Sequence, residues 1–246
     1  MGSEMCIRDR LKEAIEVFGP VMSEAFGQTE APASITVKAP WDYLNTDGSI
    51  NEKRLQSIGR PAAFNRVCIL DDNGVEVARG QRGEICVKGD LVVPGYYQNP
   101  EATKEAREFG WHHTGDIGVM DNDGFITIVD RKKDMIITGG FNVFPNEVEQ
   151  TLTQIPEIQD CAVIGIPDEK WGEAVKAVIQ LKPNMSVDEA SVISFIKEKL
   201  GSVKAPKSVD IIDDLPRSPV GKVLKTELRK LYLSLIHISE PTRRTP

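Results

Sequence analysis

Cysteine and histidine are scarce in this chain, with four and three among 246 residues. Cys6, Cys68, Cys86 and Cys161 are scattered without CxxC spacing, which leaves reduced core or surface thiols in a cytosolic protein. His112 and His113 are adjacent, so on a strand they would face opposite sides and could not pair on a metal. No apolar run approaches the roughly 20 residues that cross a bilayer, and no hydrophobic secretory leader is visible. No GxGxxG follows a strand and no GxxxxGK[ST] is present, so neither a Rossmann nor a Walker phosphate loop is supported. GxSxG and HExxH are also missing. Cations are the minority charge, 30 Lys+Arg against 37 Asp+Glu, which argues against a broad nucleic-acid surface and leaves only a local basic spot. Internal repeats and low-complexity tracts are absent.

What is present is ordinary for a globular protein: 40% hydrophobic and 27% charged residues, in a length that suits one large domain or two smaller ones. The two ends differ in texture from their neighbours. "MGSEMCIRDR" and "LSLIHISEPTRRTP" lack periodicity and punctuation and resemble translated sequencing-adapter sequence. Residues 1–10 and 234–246 are therefore set aside as non-native.

Between them, "LKEAIEVF" (11–18) has helical spacing and stops at Gly19-Pro20. "VMSEAFGQTE" predicts a short strand and a polar turn. Residues 62–130 read as mostly β: "AAFNRVCIL" meets "VEVA" across "DDNG", "GEICVKG" follows, and "DIGVM" meets "FITIVD" across "DNDG". The glycines of those turns accept the positive φ of tight hairpins. From residue 133 the texture changes. "NEVEQTLTQ" predicts a helix after Pro145, and "CAVIGI" and "AVKAVIQL" are strands separated by "PDEKWGE". A helix over 187–200 is opened by a capping box at Ser186 and Glu189 and stopped by Gly201. A strand "KSVDII" and a helix "LKTELRKLY" complete a small α+β unit of ordinary domain size.

Five short polar clusters follow in order: "FGQTE" (26–30), "GEICVKGDLVVPGYY" (83–97), "WHHTGD" (111–116), "DRKKDMIITGG" (130–140) and "PRSPVGK" (216–222). Each alone has a plain reading as a turn, a strand end or a solvated face. Together they resemble the adenylate-forming superfamily of acyl-CoA synthetases, peptide-synthetase adenylation domains and beetle luciferases. The resemblance runs from about Leu11 to Leu233 and is greatest to the fatty-acyl-CoA synthetases.

The resemblance implies an α/β plus α+β architecture. Residues 11–132 would be the β-rich C-terminal part of a large AMP-binding domain, and residues 133–233 a small C-terminal domain, with a hinge between them. It implies ATP and Mg²⁺ as requirements, coenzyme A as acceptor and a carboxylic acid of the fatty-acid class as substrate. The family's Ser/Thr/Gly-rich phosphate loop lies upstream of "FGQTE" and is not in this chain, which implies a front truncation and an inactive fragment.

Residue by residue, Glu30 matches the magnesium ligand, Thr29 the α-phosphate contact and Phe26 the aromatic position beside adenine, with Gly27 and Gln28 completing that motif. Asp116 matches the aspartate that accepts from the ribose hydroxyls, and Arg131 the arginine that also reaches the ribose. Lys222 matches the lysine brought to the α-phosphate and the substrate carboxylate by a flexible loop. Lys133 matches the hinge, and Gly139, Gly140 and Phe141 the face presented to CoA. Lys132 takes no role from the resemblance and reads as solvated. Two alternatives stay open: another acid or a carrier-protein acceptor on the same fold, and a non-catalytic nucleotide-binding fragment. No carrier-domain serine motif follows "SPVGK".

Overall fold

The computed structural model describes residues 4–219 and 221–239. The chain divides into two compact units, Met5–Lys133 and the residues from Asp134 onward. The first opens with helix α1 (Glu4–Phe18), ended by Gly19 at φ +76°. This helix begins within the ten residues set aside above.

A three-stranded antiparallel sheet follows, β1 (Glu24–Gln28), β2 (Ala31–Lys38) and β3 (Arg60–Pro61), with the short helix α2 (Glu52–Leu55) between the last two. Next is a four-stranded antiparallel sheet in sequential order: β4 (Asn65–Leu70), β5 (Arg82–Gly89), β6 (His112–Met120) and β7 (Ile126–Arg131), with helix α3 (Pro100–Glu105) between β5 and β6. Glycines 74 and 124 have positive φ in the two hairpin turns, as their sequence predicts. "VEVA" forms a single bridge, Leu70 to Glu76, instead of a strand. Ile69, Ile85, Met120 and Ile126 make one core patch of this sheet, and Val87 of β5 packs with Ala31 and Ile35 of β2 in another.

The second unit starts with the hairpin β8 (Ile136–Thr138) and β9 (Phe141–Val143), then helix α4 (Pro145–Leu152). Strands β10 (Ile158–Asp168) and β11 (Gly172–Leu181) form a long hairpin, followed by α5 (Glu189–Leu200), β12 (Ser208–Ile211) and α6 (Lys225–Ser239). The sheet order is β10-β11-β8-β9, and β12 joins β11 as a parallel neighbour. Alternation sorts β10 and β11 between two apolar layers. Val163, Val175, Ala177 and Ile179 pack with Val148 and Leu152 of α4 and Val192 and Ile196 of α5. Ala162, Ile164 and Val178 pack with Leu215 and with Leu228 of α6. Burying such a branched side chain contributes about 1.5–3 kcal/mol, so both faces of this hairpin are anchored. No described helix is long and apolar enough to cross a membrane.

The start of α5 differs from the expected capping box. Asp188 is the N-cap, its Oδ2 accepting from the Ser191 amide at 2.9 Å, while Glu189 Oε1 accepts from the Val209 amide at 2.8 Å. Asp188 begins the helix two residues later than Ser186 would, and its carboxylate reaches the third amide directly. Asp188→Ala is expected to cost about 1 kcal/mol in chemical denaturation. Ser186→Ala should stay within about 0.5 kcal/mol; the reverse ranking would restore the capping box.

Candidate functional site

Strands β1, β6 and β7 bring three of the sequence motifs into direct contact. The register of β1 against β2 shifts between Phe26 and Gln28, a bulge around Gly27. Phe26 is half-buried against the Ala31, Ile35 and Val87 cluster. Gln28 reaches across to β6: its Nε2 donates to the Thr114 carbonyl at 2.8 Å and to Asp116 Oδ2 at 3.2 Å. His112 Nε2 lies 3.4 Å from Gln28 Oε1.

"TGD" is a bulge within β6, not a simple turn. Glu84 of β5 pairs with Ile117 and Cys86 with His113, so Thr114, Gly115 and Asp116 together oppose the single residue Ile85. Such insertions re-aim side chains. Gly115 takes φ +72°, Thr114 Oγ1 donates to the Ile85 carbonyl at 2.7 Å, and the Asp116 amide donates to Thr114 Oγ1 at 3.1 Å.

The result is an Asp116 that is 1% exposed, with Oδ1 facing Arg131 Nε at 2.8 Å from the opposite position on β7. Burial raises the Asp116 carboxyl above its ordinary pKa, and Arg131 and Gln28 offset part of that. The Arg131 side chain is 52% exposed, so it grips the buried carboxylate while its outer guanidinium faces solvent.

Thr29 and Glu30 form the turn between β1 and β2. Glu30 Oε1 accepts from the Tyr96 hydroxyl at 2.8 Å. This bond is the main reason the Glu30 carboxyl titrates below its ordinary range. A small cavity here is lined by Glu30, Tyr96, Arg107 and His112 among others. Burial lowers the His112 pKa, which favours a neutral imidazole. Tyr96 has no role in the sequence reading, although it stands within one of the quoted clusters; a tyrosine in "GYY" carries no local signal of its partner.

In the second unit, Gly139 and Gly140 are the two central residues of the β8–β9 hairpin, at φ +57° and +81°. That is the geometry of a type I′ turn, which glycine satisfies without strain. A Cβ on Gly139 would also lie 2.7 Å from the Trp171 ring, and the Gly139 amide donates to the Trp171 carbonyl at 2.8 Å. Beside this turn Phe141 is 61% exposed and Trp171 40%. Lys170 and Lys207 stand 4.8 and 5.7 Å from the Trp171 ring centre.

Lys133 is exposed in a 3-10 turn, and the division between the units falls immediately after it. Lys222 is exposed on a loop that is more closed than its sequence suggests. Ser218 N donates to the Lys222 carbonyl at 2.8 Å, Lys222 N to Ser218 Oγ at 3.1 Å, and Arg217 Nη1 to the Gly221 carbonyl at 3.1 Å.

Glu84, Cys86 and His113 bring their ligand atoms within 4.8 Å of one another, a set that could hold a metal. The Lys132 ammonium, however, stands 3.0 Å from the same Glu84 oxygen that faces His113, and burial raises the Cys86 thiol pKa. A cation is already supplied there by the protein.

Comparison with known proteins supplies the context. The model of the AMP-binding enzyme family matches residues 1–97, and that of the AMP-binding enzyme C-terminal domain matches residues 147–222. A medium/long-chain-fatty-acid–CoA ligase, FadD8, of Mycobacterium tuberculosis is 47% identical over 230 residues, covering 91% of this chain and 39% of the ligase. A long-chain-fatty-acid–CoA ligase of Escherichia coli O6:H1 is 44% identical over 215 residues, covering 87% of this chain and 36% of the ligase. The crystal structure of ATP-bound MatB from Rhodopseudomonas palustris superposes with a TM-score of 0.79 at 35% identity, over 93% of this chain and 44% of MatB. The chain therefore spans well under half the length of these relatives.

Proposed function

Because this chain belongs to the AMP-binding enzyme family, we propose that it is the C-terminal portion of a cytoplasmic acyl-CoA synthetase acting on fatty acids. The names of the fatty-acid–CoA ligases it is similar to support that acid class, and the ATP-bound MatB structure supports ATP as the nucleotide. The observation that carries the reading is the buried Asp116 carboxylate. It is held by Arg131 and Gln28 at the meeting of three family motifs.

In the proposed reaction a carboxylate oxygen of the acid bonds to the α-phosphorus of ATP, and the bond to pyrophosphate breaks. The CoA thiol then bonds to the acyl carbon and AMP leaves, its oxygen taking the electron pair. Asp116 accepts from the ribose hydroxyls, a task for an ionised carboxylate. Arg131 adds a donor at the ribose, and Phe26, Gly27 and Gln28 belong to the adenine side. Thr29 donates to the α-phosphate. Glu30, ionised and hard, suits Mg²⁺, which when bound offsets phosphate charge. Lys222 offsets the charge that develops at the α-phosphate. Lys133 is the pivot between the half-reactions.

Gly139, Gly140 and Phe141 meet the pantetheine of CoA. The exposed Phe141 and Trp171, with Lys170 and Lys207 beside the indole, give that face apolar area and positive charge suited to a phosphorylated thiol.

ATP–pyrophosphate exchange tests the reading. The full-length protein is expected to exchange label only with a fatty acid present, and to form AMP, not ADP, when CoA is added. The 246-residue chain alone is expected to give no exchange, since no phosphate loop lies within it. Fatty-acid-independent exchange, or release of ADP, would overturn the assignment.

A further inference from the structure

Glu84, Lys132 and His113 have no part in the reaction as proposed, yet they form a tightly bonded cluster beside the residues that do. Glu84 is 5% exposed, and a buried carboxylate is costly unless paired. Its Oε1 accepts from the Gly115 amide at 3.0 Å, within the β6 bulge. Its Oε2 is 3.0 Å from Lys132 Nζ and 2.9 Å from His113 Nδ1. Lys132 also lies 3.1 Å from Asp72 Oδ1. Gly115 immediately precedes Asp116, and Lys132 immediately follows Arg131. One carboxylate on β5 thus ties down a neighbour of each member of the Asp116–Arg131 pair.

We propose that Glu84, acting with Lys132, is a positioning residue for nucleotide recognition: it holds the β6 bulge and the end of β7 so that Asp116 and Arg131 present a fixed face to the ribose. The inference rests on the ribose reading of Asp116 and Arg131. The bulge draws the Gly115 amide out of the β5–β6 ladder, and Glu84 Oε1 supplies the acceptor it would otherwise lack. Lys132 is not merely a solvated member of a basic run; its ammonium balances the buried carboxylate at the last residue before the Lys133 hinge position. Small displacements of positioning groups act on binding and rate without any change in the chemistry of the reacting groups.

The test is steady-state kinetics of the full-length protein with ATP and with 3′-deoxy-ATP, which lacks one ribose hydroxyl. Lys132→Ala, assayed well below its melting temperature, leaves the buried Glu84 carboxylate without its ammonium and should lose some stability. It is expected to raise KM for ATP about tenfold, with kcat changed less, and to narrow the preference for ATP over 3′-deoxy-ATP. Glu84→Gln, which keeps an acceptor for Gly115 and loses the charge, should do the same. Lys132→Arg should restore both values. If Glu84→Gln does not fold, the two Lys132 variants decide alone. Asp116→Asn serves as the reference: loss of ribose preference there, with Lys132→Ala and Glu84→Gln like wild type, overturns the positioning role only. Unchanged ribose preference in Asp116→Asn overturns the ribose reading itself.

Discussion

Lys222→Ala in the full-length protein is expected to slow acyl-adenylate formation by about 10²-fold or more, the scale of losing one preorganised donor to developing charge. Thioesterification from supplied acyl-adenylate should fall far less. The asymmetry follows from where charge changes. Adenylation drives an anion onto a polyanion, and a lysine point charge is worth most as the pentavalent phosphorus forms. The second half-reaction attacks an acyl carbon, with the phosphate already a monoester. The structure also separates this effect from folding. Lys222 is exposed, and its loop is held by backbone and neighbouring groups: Ser218, the Gly221 turn at φ +83°, and Arg217, whose Nη2 lies 2.5 Å from Asp160 Oδ2. Truncating the Lys222 side chain touches none of these bonds, so the melting temperature should stay within experimental scatter. Equal losses in the two half-reactions, measured by single-turnover kinetics, would remove Lys222 from the adenylation step.

The sequence announces its hairpins and helices where local chemistry dictates them, and is silent where distant pairing does. Gly74, Gly124 and Gly201 punctuate turns because only glycine takes their positive φ without strain, and each is visible as such. Strand β2 is not, because its burial departs from apolar/polar alternation. Thr36 and Lys38 are buried there, Lys38 by donating to the Arg54 and Ser57 carbonyls and pairing with Glu24. The "PDEKWGE" loop is shorter than it reads, since Pro167 and Asp168 pair with Glu173 and Gly172 and continue the ladder.

The site divides in the same way. Motif order singles out Glu30, Asp116 and Arg131 in the first unit and Lys222 in the second as candidates, because each stands in a recognisable local string. The Glu84 cluster joins residues 29 to 48 positions apart, and no local pattern encodes that convergence. The same holds for Tyr96 on Glu30, 66 positions away. The apparent basic run "RKK" thus holds three separate environments: Arg131 on Asp116, Lys132 on Glu84 and Lys133 exposed.

Asp116→Asn should lower kcat/KM for ATP by about 10²-fold, on the scale of the about 1.5–3 kcal/mol carried by a hydrogen bond to a charged acceptor. Its effect on stability should run the other way. Burial, the leading cause, raises the folded-state pKa of Asp116, so the folded protein holds this proton more tightly than the unfolded chain. The stability that Asp116 contributes is therefore present below its unfolded pKa and is lost as pH rises through its folded pKa. At neutral pH the ionised carboxylate sits in its buried place at a cost, offset in part by Arg131 and Gln28. Asparagine keeps the shape and the acceptor toward Arg131, removes the charge, and leaves a guanidinium that already reaches solvent. The variant should thus melt at or above the wild-type temperature at neutral pH, with the advantage shrinking as pH falls below the folded-state pKa. A residue kept for the fold alone would show the opposite pattern, a lower melting temperature with ATP use unchanged. Kinetics and thermal melts across pH on the same two proteins separate these outcomes. A stable protein with impaired nucleotide use would mark Asp116 as a carboxylate retained for its ligand against its own burial.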